Sequence, residues 1–114
     1  MANPSDVRQF GYRNPRYSFP RMINIETPLP NGSRVIGTHG IDISVDGVAV
    51  SADVQFDHDE PVTLAIPLAD GSVARVPGRV LCQSDDHCKF GFDFANPEQQ
   101  EAIQQLSASF AKVR

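Results

Sequence analysis

Phe90-Gly91-Phe92-Asp93-Phe94-Ala95-Asn96-Pro97-Glu98-Gln99 changes its period part-way along, and that change decides the fold. Phe90, Phe92 and Phe94 recur at every second residue, the spacing at which side chains leave a strand on the same face. The pattern stops at Asn96, a good N-cap. Pro97 suits the first helical position, where a missing N–H costs nothing, and Gln99 sits where a capping box wants it. Ala102, Ile103, Leu106, Phe110 and Val113 then recur at helical spacing. This predicts one amphipathic helix from about residue 97 to 112, packed by Ile103, Leu106 and Phe110.

Upstream the period is two throughout. Val62, Leu64, Ile66 and Leu68 alternate, and Asp70-Gly71 closes that strand into a hairpin. Ala74, Val76, Val80 and Cys82 are expected on one face of the next strand, with Arg75, Pro77 and Arg79 on the other. Val48 and Val50 mark a short strand after the Asp46-Gly47 turn. Residues 34–44 form a longer strand with Ile41 and Ile43 on its inner face. A weaker strand at 21–25 precedes the Pro28-Leu29-Pro30-Asn31-Gly32 turn, whose Asn-Gly is a strong hairpin signal. The reading is all-β: six short antiparallel strands in a barrel, with one C-terminal α-helix over its open end. At 114 residues the chain suffices for a single core. Residues 1–20 carry three prolines and little periodicity. They are expected to be an extended, arginine-bearing linker outside the core, ahead of a barrel domain at 21–114.

Charge and composition narrow the function. The net charge is −4, yet residues 1–21 carry +3 and the remainder −7. An acidic body repels a phosphate backbone, so no nucleic-acid polymer is expected as partner. An arginine cluster still suits a small anion. No apolar run approaches the roughly 20 residues that span a bilayer, so no membrane insertion is expected. The N-terminus lacks a signal-like apolar stretch, which makes the cytoplasm the expected location. Cys82 and Cys88 flank an expected hairpin loop that sets them where they can face each other, and they are expected to be reduced thiols. No Cys-x-x-Cys spacing exists, and neither metal nor cofactor is expected. Ser44 and Asp42 have no histidine at a spacing that argues for a triad, so no enzyme is expected.

The chemistry concentrates in two places. Arg8, Arg13 and Arg16 lie on the linker, and Asp42-Ile43-Ser44-Val45-Asp46-Gly47 ends a strand in a turn. Alternation sets Asp42 and Ser44 together on the outer face, and Gly47 can take a backbone conformation other residues avoid. A guanidinium can fork onto phosphate oxygens or onto the O6/N7 edge of guanine. A carboxylate can accept from guanine's N1–H and amino group. A simpler role is also open, in which Asp and Ser side chains merely brace the turn backbone.

Taken together, Arg13/Arg16, Asp42-x-Ser44-x-x-Gly47, Gly78-Arg79-Val80 and Phe90-Gly91-Phe92-Asp93-Phe94 resemble the PilZ family of bacterial cyclic di-GMP receptors. The resemblance runs from about Tyr12 to the terminal helix. It implies a six-stranded antiparallel barrel whose Arg-x-x-x-Arg linker wraps cyclic di-GMP against the Asp-x-Ser-x-x-Gly strand. It therefore implies Arg13, Arg16, Asp42, Ser44 and Gly47 as ligand-binding residues, and an effector protein in trans as partner. One departure stands out: four residues before Arg16 lies Tyr12, so the spacing here is Arg-x-x-Arg. Tyr12 can instead stack on a purine, and Arg8 can supply a second guanidinium from farther back. The departure leaves an alternative open, a PilZ-like interaction module that does not bind the nucleotide.

Overall fold

Antiparallel pairing carries the sheet full circle. The structure, a computed structural model, describes residues 15–84 and 86–110. Its strands are β1 (Tyr17–Ser18), β2 (Met22–Leu29), β3 (Gly32–Ile43), β4 (Gly47–Ser51), β5 (Pro61–Pro67), β6 (Val73–Gln83) and β7 (His87–Phe92). They are followed by α1 (Pro97–Ala108). The neighbours run β3-β2-β5-β6-β7-β4, and β4 pairs back onto β3. Six strands thus close into a barrel, which leaves no long unpaired edge.

β2 continues the line of the short β1 along β3. Tyr17 and Ser18 pair with Ile43 and Asp42, while β2 begins at Met22 opposite His39. Between them Phe19 N–H donates to Ile41 O at 3.0 Å, and Gly40 N–H donates to Arg21 O at 2.7 Å. Pro20, which has no N–H to give, interrupts what is otherwise one strand line. Gly40 is required at this crossing. A β-carbon there would run into the carbonyl oxygens of Phe19 and Arg21.

The barrel interior holds Ile23, Ile25, Ile43, Val48, Val50, Leu64, Ile66, Val76, Val80 and Phe90, all fully buried. Burying one such side chain contributes about 1.5–3 kcal/mol. Phe19 joins this core, and α1 adds Ile103 and Leu106. Asn96 caps the helix by accepting from Gln99 N–H at 2.9 Å. The Gln99 carboxamide accepts from Ala95 N–H at 2.9 Å and donates to Arg75 O on β6 at 3.0 Å, so the cap also fastens the helix to the sheet. The helix ends at Ala108, short of the expected residue 112, which lies outside the described residues. Phe110 still packs, edge-on against Phe19 with ring centroids 5.0 Å apart.

Strict alternation fails in two places, for one reason. The β3–β4 register shifts between Gly40 and Asp42, and the β6–β7 register shifts between Val80 and Cys82. Each shift is a bulge, where one extra residue turns the strand's faces over. Ile41 is therefore 36% exposed while Ile43 is fully buried, contrary to the shared inner face expected for them. Cys82 likewise points outward while Cys88 points in, so the two thiols do not face each other; both are free. In the closing aromatic stripe only Phe90 is fully buried, and Phe92 and Phe94 pack half-buried against the core.

Candidate functional site

Arg16 is brought onto the Asp42–Gly47 turn by strand pairing. The β1–β3 register puts Tyr17 opposite Ile43, so the preceding residue, Arg16, arrives beside Ser44. Its Nε donates to Asp42 Oδ1 at 2.8 Å, and its Nη2 donates to the same oxygen. Its Nη1 donates to Ser44 Oγ at 2.9 Å and lies 3.9 Å from Asp46 Oδ1. The Arg16 side chain is only 11% exposed and Asp42 only 19%. A linker residue expected to lie outside the core is thus packed against the barrel wall. One guanidinium is set between two carboxylates.

Ser44 is fully buried beneath the guanidinium, rather than projecting from the outer face as alternation predicts. Its hydroxyl donates to Asp46 and accepts from Asp46 N–H at 3.2 Å, and its own N–H donates to Gly47 O at 2.8 Å. Bracing of the turn and engagement of the arginine therefore coexist in one side chain. Asp46, which the sequence suggests only as a turn residue, joins both networks. The signal for it was its position two residues beyond a serine, the spacing of a side chain–backbone turn.

Gly47 serves differently from the expectation. The glycines at positive φ among the described residues are Gly32 and Gly71, so no special conformation is used at Gly47. It pairs with Gly91 on β7, and a β-carbon on it would collide with the Phe90 carbonyl oxygen. Its need is close approach of two strands behind the site.

The structure thus joins Arg16, Asp42 and Ser44, with Gly47 closing the turn. Arg8, Tyr12 and Arg13 lie outside the described residues. All three nitrogens of the Arg16 guanidinium are turned onto Asp42 and Ser44. Both bonds that Asp42 accepts from Arg16 fall on Oδ1. Among the described residues no group of three or more His, Cys, Asp or Glu gathers to hold a metal ion. No helix among them is long and apolar enough to cross a membrane.

Solved structures with the same architecture include the PilZ domain of YcgR from Escherichia coli with c-di-GMP. It is 14% identical, with a TM-score of 0.69 over 86% of this chain and 89% of that one. The PilZ domain of CeSA from a cellulose-synthesizing bacterium is 24% identical, with a TM-score of 0.61 over 82% of this chain and 95% of that one. The MrkH–c-di-GMP complex of K. pneumonia is 18% identical, with a TM-score of 0.62; the match covers 82% of this chain but 49% of that longer protein. Among curated proteins no match was found. At these identities the structures establish a shared fold. The PilZ domain family itself matches residues 12–109, nearly the whole sequence, and this chain belongs to it.

Proposed function

We propose that this chain is a cytoplasmic, non-enzymatic receptor for cyclic di-GMP. The observation that carries the reading is the seating of a linker arginine on the strand-end motif, Arg16 on Asp42 and Ser44. Two structures of the same fold, from YcgR and MrkH, contain c-di-GMP, which supports the choice of ligand. Arg16 would grip a phosphate or stack on a base, and Asp42 would accept from guanine's donor edge. Arg13, with Arg8 or Tyr12, would complete the wrap from the linker. Because Arg16 sits where linker and barrel meet, ligand capture would change how the linker lies on the barrel, and with it the surface offered to an effector protein in trans.

Isothermal titration with cyclic di-GMP tests the proposal. Micromolar affinity, about −8 kcal/mol, is the expected result, with no heat from cyclic di-AMP, whose adenine lacks the N1–H donor. One observation favours a second reading. Tyr12 stands where the family's linker motif has its first arginine, and a chain without that contact would act only through protein contacts. Absence of heat at high micromolar cyclic di-GMP would select that reading over the first.

A further inference from the structure

Arg21, immediately before β2, is a cation with no carboxylate beside it. Its guanidinium lies over the Phe110 ring, 5.6 Å from the centroid, and among the described residues it forms no ion pair. Arg16, Arg75 and Arg79, by contrast, are each paired with a carboxylate. The sequence from residue 22 onward carries −7, so acceptors are plentiful elsewhere on the barrel. An aromatic ring attracts the charge but supplies none of the oxygen acceptors that a guanidinium fork is shaped for.

Beside Arg21 opens a cleft of about 420 Å³ between the β5–β6 turn and the end of α1. It is lined by Arg21, Pro67, Leu68, Leu106, Ser109 and Phe110, among others. Both walls are fixed by their own backbone bonds. In the turn, Leu68 N–H donates to Ser72 O at 2.8 Å and Gly71 N–H donates to Leu68 O at 3.1 Å. At the helix end, Ser109 N–H donates to Leu106 O and Phe110 N–H donates to Ser107 O, each at 3.1 Å. Walls already in place keep the entropic cost of filling the cleft low.

The apolar surface runs on beyond the cleft. Pro67 pairs with Val73 on β6, and Met22 follows Arg21; Val73 is 55% exposed and Met22 54%. A ligand that fits must offer an apolar side chain to Leu68 and Leu106, a carboxylate to Arg21, and further apolar surface outside. A cleft of this volume, at the lower end for ligand pockets, takes one or two side chains of a passing chain.

We infer that the cleft docks an extended segment of a partner protein in which an acidic residue is flanked by leucine-like side chains. The carboxylate takes the Arg21 fork, and a flanking side chain fills the floor over Leu68 and Leu106. The site shares no residue with the Arg16–Asp42–Ser44 cluster. The inference therefore goes beyond the receptor reading and is tested apart from it.

The probe is a capped peptide, acetyl-Gly-Leu-Asp-Leu-Gly-amide, titrated into the isotope-labelled full chain and followed by amide NMR. Shifts are expected at Arg21, Leu68, Ala69 and Phe110, with a Kd of about 1 mM. The Leu-Asn-Leu counterpart, which lacks the charge, is expected to bind at least about tenfold more weakly, the loss for a charged hydrogen bond. Arg21→Gln should bind the two peptides alike. Ala69→Phe fills the cleft from an exposed position and leaves Arg21 in place. It should weaken the aspartate peptide by at least about tenfold, with both variants melting near the wild type. Shifts confined to other residues, equal affinity of the wild type for both peptides, or an Arg21→Gln variant that still tells them apart would overturn the inference. So would the absence of shifts at about 10 mM peptide, the result expected if another part of the chain or a second copy fills the cleft. Titration with cyclic di-GMP judges the receptor reading separately, whichever result the peptides give.

Discussion

Arg16 carries two loads, and substitution separates them. Its guanidinium supplies the donors for Asp42 Oδ1 and for the fully buried Ser44 hydroxyl. Removing it leaves those acceptors under-satisfied in a poorly hydrated place, so Arg16→Ala is expected to cost about 1–3 kcal/mol of stability. A chemical denaturation midpoint measures this. The same variant is expected to weaken cyclic di-GMP binding by about one to two decades. Arg16→Lys keeps the charge but loses the planar fork, and should recover only part of both. Position 12 asks a different question. Tyr12→Arg creates the spacing Arg-x-x-x-Arg with Arg16 and is expected to tighten binding in titration calorimetry. An unchanged affinity there would mean that the tyrosine already makes an equivalent contact.

At the scale of elements, β4 lies so close to β7 that Gly47 has no room for a methyl group against the Phe90 carbonyl. The obstacle is backbone, which cannot swing aside as a side chain can. Gly47→Ala is therefore expected to destabilise by about 1–3 kcal/mol, the range for overpacking, read as a shift of the urea midpoint at unchanged m. The motif glycine is thus structural behind the site, and its effect on binding should follow its effect on folding. The strands and the helix cap were legible in the sequence because each has a local cause: alternation for β5, Asn96 and Gln99 for α1. The Asp42-x-Ser44-x-x-Gly47 turn was legible for the same reason. The bulges after Gly40 and Val80 were not, since an inserted residue is visible only once the partner strand's register is known. They decide that Ile41 and Cys82 face outward. Arg16's burial was equally hidden, because it follows from β1 pairing with a strand some 26 residues later.

At the scale of the whole molecule, stability should respond to pH and to ligand in separable ways. Burial pushes the Cys88 thiol from an ordinary 9.0 up to about 12. An acid whose folded value is raised holds its proton in the native state after the unfolded chain has lost it. That contribution is complete below about pH 9 and is lost as pH rises toward 12, at up to about 1.4 kcal/mol per pH unit. Cys88→Ala removes it, so the alkaline limb of a stability–pH curve should be shallower in the variant than in the wild type. Ligand acts in the opposite sense and near neutral pH. A molecule that binds only the folded state stabilises it by RT ln(1 + [L]/Kd), about 2.7 kcal/mol at a hundredfold excess over Kd. For a domain of this size each kcal/mol raises the melting temperature by about 4–8 °C, so saturating cyclic di-GMP should raise it by about 10–20 °C. Arg16→Ala should lower the ligand-free melting temperature and also shrink the rise at a fixed nucleotide concentration. A variant that lost only stability would show the full rise from a lower start. Melts at matched concentrations of cyclic di-GMP, with and without the substitution, distinguish an arginine that merely braces the Asp42–Gly47 turn from one that holds the nucleotide.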